Sequence, residues 1–438
     1  MRWPVGRVLL TALSCQPRLR LLRLQEPAEG PAVHAPPPPP QRSWPVPLFS
    51  RKEDDAERGW KSDLDVLDNR PGAGRVLLIN TGGTMGMTLQ NGSLTPLKGY
   101  LAQCIRNMPE MHEPSMPEID IVEYDPLIDS SNIGPDDWVG LATQVRDCYF
   151  DYDGFVIIHG TDTMAYTASA LSFMLEGLGK AVVLTGSMIP LAEIYNDARR
   201  NLLISVVFAA QLELCEVAIF FNDRLLRGNR ASKVDSNGLD AFDTPNFPPL
   251  ATVGARISSD RAIWRRPPTS RLRVHLKLDT SIVVLHLVPG FDDSAIESMV
   301  RYSSKLRGLV LSLYGTGNGP SRKAGFLRTI ENAIERGVLV VAASQCTKGT
   351  VSLDDYEVGR RLLDIGVISA GDMTIEAIST KMAYLFGRGL TGDEIRLAMN
   401  EDLRGERSRL APPSAVESGS LGNFLGKLGR GSRGDRGD

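Results

Sequence analysis

Four short segments of the chain concentrate hydroxyl, carboxylate and glycine residues. They are TGGT at residues 81–84, DSSN at 129–132, HGTDT at 159–163 and RGNRASK at 227–233. A threonine hydroxyl can act as a nucleophile or pass on a proton, and an aspartate carboxylate can pair with a substrate ammonium group. Glycines allow backbone N–H groups to approach a ligand closely. These residue types favour chemistry on a small polar substrate, provided that the fold brings the segments together.

Each segment also has a purely structural interpretation. Gly-rich turns followed by threonine are common between a strand and a helix, and Thr161 and Asp162 are each favourable N-caps. Having both directly after an apolar run is harder to explain by capping alone. The DSSN serines precede a predicted helix that starts at Pro135. The start of a helix carries a partial positive charge, so hydroxyl groups beside it suit a carboxylate ligand. Lys233 taken alone predicts a solvated surface charge, whereas a lysine base would need a pKa lowered by burial.

Composition and spacing exclude several other classes of protein. The 438 residues carry a formal net charge of −3, so there is no basic excess for binding nucleic acid. Five cysteines without a CxxC pair and five histidines without an i,i+4 pair exclude a disulfide framework, a zinc knuckle and an HExxH metal site. No GxSxG motif is present, which disfavours a nucleophile-elbow hydrolase. The longest apolar stretch, residues 202–210, is too short for a bilayer, and we expect a soluble protein with no membrane partner.

Short apolar runs recur along the middle of the chain, and each ends in small polar residues. Such continuous runs predict strands covered on both faces, and hence parallel sheets between helices. The predicted strands cover residues 75–79, 155–158, 181–184, 217–221, 282–288, 308–313 and 338–342. A helix is predicted after Thr163, with Gly177 and Gly179 suiting its C-terminal cap. Further helices are predicted at 321–336 and about 374–386.

The recurring apolar runs are absent between residues 257 and 279, which predicts a domain junction there. The fold class is therefore α/β, with two doubly wound parallel-sheet domains at residues 71–260 and 275–407. The ends of the chain, 1–70 and 411–438, are predicted to be disordered extensions from their composition. The first 25 residues are rich in arginine and contain no acid, which is typical of a mitochondrial transit peptide. The alternative is an untargeted extension. We favour a cytoplasmic location for the protein.

Together, the four segments resemble the L-asparaginase/glutaminase family, in particular its cytosolic type I branch. TGGT, DSS, HGTDTM and RGNR with Lys233 occur in the family's order and at similar spacing, from about residue 75 to about residue 406. The animal members of this branch, known as lysophospholipases with asparaginase activity, are especially similar. The resemblance implies an asparaginase-like fold and hydrolysis of L-asparagine to L-aspartate and ammonia. It further implies no cofactor, no metal and a homodimer or homotetramer.

The resemblance also assigns roles to single residues. Thr84 matches the primary nucleophile of the family. Thr161, Lys233 and Asp162 match a triad that relays a proton, and Asp162 also binds the substrate α-ammonium group. The α-carboxylate is matched by two neighbouring hydroxyl residues, Ser130 and Ser131. Such a set suits an amino-acid zwitterion, which needs one anionic partner and one donor-rich partner.

The sequence departs from the bacterial pattern in two places. Bacterial members carry a lid tyrosine that orients the nucleophile, whereas residues 87–96 contain no tyrosine, so either another group replaces it or turnover is slower. Ser312 stands where bacterial type I enzymes carry an arginine tied to allosteric asparagine binding.

Two other functions stay open at this level. One is lysophospholipase or other ester hydrolysis on the same scaffold, suggested only by the animal relatives. The other is a non-catalytic, ligand-binding regulatory α/β protein, for which GTGNGP at residues 315–320 is the best feature, although it lacks the GxGxxG spacing.

Overall fold

The computed structural model describes residues 20–23, 74–320 and 323–408. The extensions predicted for residues 1–70 and 411–438 lie outside these ranges, apart from a short strand at Arg20–Arg23. Within the described ranges, no helix combines the length and the apolar character of a membrane span.

The N-terminal domain is a sheet with helices on both faces. Its strands are β1 (Arg20–Arg23), β2 (Arg75–Asn80), β3 (Met87–Gln90), β4 (Ser93–Pro96), β5 (Glu118–Glu123), β6 (Gly154–Ile158), β7 (Leu175–Glu176), β8 (Val182–Thr185), β9 (Val217–Phe221), β10 (Arg224–Arg227), β11 (Ser232–Lys233), β12 (Phe242–Asp243), β13 (Ala251–Val253) and β14 (Ile257–Ser259). Its helices are α1 (Tyr100–Arg106), α2 (Pro135–Asp147), α3 (Met164–Met174) and α4 (Ala198–Gln211).

The main sheet has the strand order β1-β5-β2-β6-β8-β9-β10-β13-β14. Its centre, from β5 to β9, is parallel, which confirms the predicted parallel sheet. Both edges are antiparallel, which the apolar runs did not predict. One edge begins at the two-residue turn of Asn222 and Asp223, where φ is 45° and 62°. Positive φ at both positions is the geometry of a tight hairpin, so β10 returns antiparallel to β9.

Alternate residues of the parallel strands face opposite layers of the core. Leu77 and Ile79 of β2 join the apolar cluster that includes α2 and α3. Val76 and Leu78 join the cluster that includes α1 and α4. Burial on both faces explains why the strands read as continuous apolar runs.

The C-terminal domain repeats this plan with a smaller sheet. Its strands are β15 (Arg273–Val274), β16 (Ile282–His286), β17 (Gly308–Leu313), β18 (Leu339–Ser344) and β19 (Ile368–Ser369), and its helices are α5 (Asp293–Tyr302), α6 (Ala324–Glu335), α7 (Glu357–Asp364), α8 (Ile375–Gly387) and α9 (Gly392–Asn400). Strands β16 to β19 are parallel and pair in chain order. Helices α5, α6 and α7 contribute to the core on one face, and α8 and α9 to the core on the other. Both domains are therefore α/β, as predicted.

Helix α3 differs from its prediction at the C-terminal end. It stops at Met174 and does not reach the proposed cap at Gly177. Leu175 and Glu176 leave the helix because they pair antiparallel with Val274 and Arg273 of β15. A contact with the distant strand β15, which local periodicity cannot report, thus overrides the helical pattern.

Helix α3 also joins the two domains, because it packs against α8. The Ser169 and Thr380 hydroxyls lie 2.7 Å apart, and the rings of Phe173 and Tyr384 stack with centroids 5.9 Å apart. Ten of the 11 residues of α3 are buried, as expected for a helix that lies between a sheet and a second helix.

A buried ion pair crosses the same junction. Arg230 Nη1 donates to Asp372 Oδ2 at 2.8 Å, and the two side chains are 2% and 11% exposed. Burial raises the pKa of Asp372, but hydrogen bonds from Ser408 and Arg230 outweigh it, so this pKa lies below its usual value. The pair therefore fixes the segment before Lys233 to the C-terminal domain.

We expect Arg230→Ala to lower the free energy of unfolding by about 3–5 kcal/mol, because it leaves the Asp372 carboxylate buried without its partner. Urea denaturation measures the loss. The matched control is Arg361→Ala, which breaks an exposed pair with Glu357 and should cost less than about 1 kcal/mol. Equal losses for the two variants would contradict this role of Arg230.

Candidate active site

The TGGT segment follows β2 at the carboxyl edge of the sheet. The buried Asn80 accepts a hydrogen bond from Gly82 N–H at 3.1 Å and donates to Glu123 at 3.0 Å. Gly82 and Gly83 have φ of 129° and 92°, which side chains rarely tolerate. A Cβ at position 83 would lie 2.5 Å from Gly160 N. The loops after β2 and β6 therefore touch through their backbones, and Thr84 begins the next turn, Thr84–Gly86, half-buried.

The DSSN segment reaches the same place from β5. Ser130 is only 2% exposed, and a Cβ at Gly160 would lie 2.5 Å from its Oγ. Thr163 Oγ1 donates to the Ser130 carbonyl at 2.6 Å. The Asp129 carboxylate accepts from Ser131 N–H, so it caps its own turn, while Ser131 is exposed. Ser130 thus lies inside the loop cluster and Ser131 at its rim.

His159, whose orientation the sequence left unknown, is fully buried behind this cluster. The Gly160 carbonyl can only accept, so His159 Nδ1 donates to it at 2.7 Å. In the neutral ring Nε2 is then an acceptor and takes the Thr167 hydroxyl proton at 2.9 Å, while Trp138 Nε1 donates to Thr167 Oγ1 at 3.0 Å. Burial lowers the pKa of His159 to about 4. His159 is therefore a neutral support for the loop and carries no charge near neutral pH.

Lys233 completes the cluster from β11. Its Nζ lies 2.8 Å from Thr161 Oγ1 and 2.8 Å from Asp162 Oδ1. The Lys233 side chain is 18% exposed, and that of Asp162 is 65% exposed. The solvated-lysine interpretation is thus wrong for Lys233, because burial and two polar partners fix its ammonium group. The carboxylate of Asp162 still faces outward, where a ligand can reach it.

The residues before Lys233 act as an anchor. Arg227 forms two hydrogen bonds with the buried Glu216, and Arg230 contacts Asp372 across the domain junction. Ser232 Oγ donates to Glu376 Oε2 at 2.9 Å. Burial raises the pKa of Glu376 above its usual value. Sequence reasoning missed Glu376, because it lies 144 residues from Ser232 on α8 of the other domain.

A cavity of about 390 Å³ lies on the C-terminal-domain side of Lys233. Its lining includes Glu376, the last residue of β18, Ser344, and the three residues after it, but not Thr84. Among the residues that the structure describes, no three His, Cys, Asp or Glu side chains are grouped to hold a metal ion.

The structure thus brings most of the predicted site residues together. Hydrogen bonds join Thr161, Asp162 and Lys233 directly. Ser130 and Gly83, the residue before Thr84, pack against Gly160, which precedes Thr161. The Thr84 hydroxyl has no hydrogen-bond partner among residues 74–320 and 323–408. Just beyond it, the hairpin β3–β4 exposes Leu89 and Leu94.

The buried His159 makes stability depend on pH. An unfolded chain binds a proton near pH 6.5 and the folded one only near pH 4, so stability falls as the pH drops through this window. Between about pH 7 and pH 5 the loss from His159 is about 2 kcal/mol. We expect His159→Gln to remove this part of the pH dependence of urea denaturation. His112→Gln, at an exposed position, is the control, and identical pH profiles for wild type and His159→Gln would refute the assignment.

Both domains of the chain match known protein families. Residues 75–265 match the family description "Asparaginase, N-terminal", and residues 281–399 match "Glutaminase/Asparaginase C-terminal domain". L-asparaginase 1 of Escherichia coli (strain K12) is 45% identical over 335 residues, which cover 76% of this chain and 97% of that protein. The 60 kDa lysophospholipase of Homo sapiens is 39% identical over 377 residues, which cover 80% of this chain and 64% of that protein.

Solved structures agree in fold. The crystal structure of L-asparaginase I from Vibrio cholerae superposes with a TM-score of 0.72 at 40% identity, covering 77% of this chain and all of that one. The sequence resemblance is thereby confirmed over both α/β domains, and the chain belongs to the asparaginase family.

Proposed function

We propose that this protein hydrolyses L-asparagine to L-aspartate and ammonia, with Thr84 as the nucleophile and Thr161, Lys233 and Asp162 as the proton relay. The observation that carries the proposal is the position of Lys233 Nζ, 2.8 Å from both Thr161 Oγ1 and Asp162 Oδ1. A largely buried amine between a hydroxyl and a carboxylate is the arrangement needed to pass a proton. The identity with L-asparaginase 1 of Escherichia coli supports the same chemistry.

Substrate recognition follows from the charges around this relay. The exposed carboxylate of Asp162 suits the α-ammonium group of an amino acid. The hydroxyl of Ser130, beside Gly160, suits its α-carboxylate, and Ser131 at the rim adds a second hydroxyl. A small zwitterion held at both ends then presents its side-chain amide to Thr84.

The reaction proceeds in two halves. Thr84 Oγ attacks the amide carbon, and its proton passes along Thr161 and Lys233 to the leaving nitrogen. The C–N bond breaks, ammonia leaves, and an aspartyl ester forms on Thr84. A water molecule then attacks this ester and gives its proton to the same relay, which restores the Thr84 hydroxyl. Backbone N–H groups of the Gly-rich segments stabilise the oxyanion, each by about 3 kcal/mol.

The proposal also covers the oligomeric state of the protein, its location in the cell and an alternative substrate. The family resemblance supports a homodimer or homotetramer. We place the enzyme in the cytoplasm, with a mitochondrial location as the alternative because of the Arg-rich start. Lysophospholipid is the alternative substrate, after the name of the human relative, but an exposed carboxylate next to a buried hydroxyl favours an amino acid.

Thr84→Ala and Thr161→Ala should each reduce kcat for L-asparagine by at least about 10³-fold, because they remove the nucleophile and the first relay hydroxyl. Ammonia release from the purified protein measures this, and circular dichroism checks the fold. Thr252→Ala, at an exposed position on β13, is the matched control and should keep wild-type activity. Wild-type turnover in either active-site variant would refute the roles, and lysolipid cleavage that survives in Thr84→Ala would place an esterase elsewhere.

Asp162→Asn tests the ammonium contact separately from the relay. Succinamate lacks the α-ammonium group of L-asparagine, so part of the loss in kcat/KM should appear only with L-asparagine. We expect this extra loss to be about tenfold or more, as for a hydrogen bond between charged groups. Asp136→Asn, an exposed change of equal charge, is the control. Equal losses with the two substrates would exclude Asp162 as the ammonium partner.

A further inference from the structure

A second cavity lies at the other end of helix α3 from the candidate active site. It has a volume of about 90 Å³ and is bordered by the start of β9, the end of β10, the interdomain segment and the chain after α9. Helix α3 begins directly after Thr163 and ends at Met174, a length of roughly 16 Å. The cavity is therefore a separate site.

Its lining is strongly basic. Four arginines face one glutamate there: Arg227, Arg265, Arg266 and Arg404 against Glu216. Glu216 already accepts two hydrogen bonds from Arg227, at 2.5 and 3.1 Å. The other three arginines thus leave an excess of positive charge around the cavity.

Arg265 and Arg266 have no acceptor for their side chains. Glu216 accepts from the backbone N–H of Arg265 at 3.1 Å, but no described residue accepts from either guanidinium group. Burial is the main cause that lowers the pKa of Arg265, and the charge of Arg404 is the second. Arg266 is exposed, so it marks the mouth of the cavity. These guanidinium groups are free to bind an anion.

Two buried polar atoms of lining residues are also without partners among the described residues. Arg404 donates from Nη1 to Leu403 and has Nη2 3.5 Å from Glu176, but its Nε has no acceptor. Asn229 Nδ2 donates to the Arg404 carbonyl at 3.0 Å, which leaves its Oδ1 as a free acceptor. Buried polar groups are normally hydrogen-bonded, so this pair calls for a ligand that both accepts and donates.

The acids nearby are already engaged. Glu176 lies 2.7 Å from His275 Nε2 as well as near Arg404. Asp402 accepts from Gly405 N–H at 2.6 Å, and burial raises its pKa. The charge of Asp402 offsets part of the charge of Arg265, but neither carboxylate accepts a hydrogen bond from the guanidinium group of Arg265 or Arg266.

We propose that this cavity binds hydrogen phosphate, a tetrahedral oxyanion that carries one hydroxyl group. The arginines supply N–H donors to its oxygens in the forked geometry that suits phosphate. Asn229 Oδ1 accepts from its hydroxyl. The cavity has the volume of about three water molecules, which suits the free anion. Because Arg265 lies between the domains and Arg404 follows α9, the bound anion ties the two domains together and stabilises the folded chain.

Thermal unfolding of the full chain, titrated with sodium phosphate at about pH 8 and constant ionic strength, tests the proposal. We expect Tm to rise and then saturate. Arg265→Ala should need at least about tenfold more phosphate for the half-maximal rise, and Arg266→Ala, at the mouth, should show a smaller increase. Arg261→Ala removes an exposed charge from the same segment outside the cavity and should respond as wild type. Ammonia release without phosphate should be unchanged in all three variants.

The same titration with two other anions, sulfate and glycerol phosphate, tests whether the ligand is hydrogen phosphate. Sulfate lacks a hydroxyl near neutral pH, and so does the phosphate group of glycerol phosphate at about pH 8. Both should therefore bind more weakly than hydrogen phosphate. A rise in Tm that does not saturate, or that is the same in Arg265→Ala and wild type, would reflect bulk salt stabilisation and overturn the site. Equal half-maximal concentrations for sulfate and phosphate would overturn the role of Asn229 and the choice of hydrogen phosphate.

Discussion

The candidate site depends above all on where one ammonium group is held. Lys233 Nζ lies within hydrogen-bond distance of Thr161 and Asp162, and its side chain is 18% exposed. Yet Lys233 belongs to the two-residue strand β11, outside the main sheet. It pairs with Phe242 of β12 in its own domain, and the residues before it, Arg230 and Ser232, are bonded to Asp372 and Glu376 of the C-terminal domain. Contacts from both domains therefore hold Lys233 beside Thr161 and Asp162.

A second constraint is the close approach of three backbone loops. Gly83 has no room for a side chain because the backbone of Gly160 lies against it, and Gly160 has none because Ser130 lies against it. The buried His159, neutral and bonded to the Gly160 carbonyl, supports the loop from behind. This packing restricts the segments that carry Thr84 and Thr161, because short loops on rigid strands leave little freedom for movement.

Sequence reasoning succeeded where the signal was local. The apolar runs at 217–221 and 308–313 coincide with β9 and β17, and the three polar segments that follow the parallel strands β2, β5 and β6 lie beside one another, as strand-end geometry requires. It failed where distant residues decide the outcome. Helix α3 ends early because β15 captures Leu175 and Glu176. Glu376 and Asp372 carry no local motif, and only docking of the domains makes them neighbours of the Lys233 segment.

The most direct test of the central claim is to identify the residue that becomes covalently bonded to substrate. A diazoketone analogue of L-asparagine, followed by peptide mapping with mass spectrometry, labels the attacking nucleophile. We predict a label on Thr84 that excess L-aspartate suppresses. A label on Thr161, or one that L-aspartate does not affect, would contradict the assignment of nucleophile and relay.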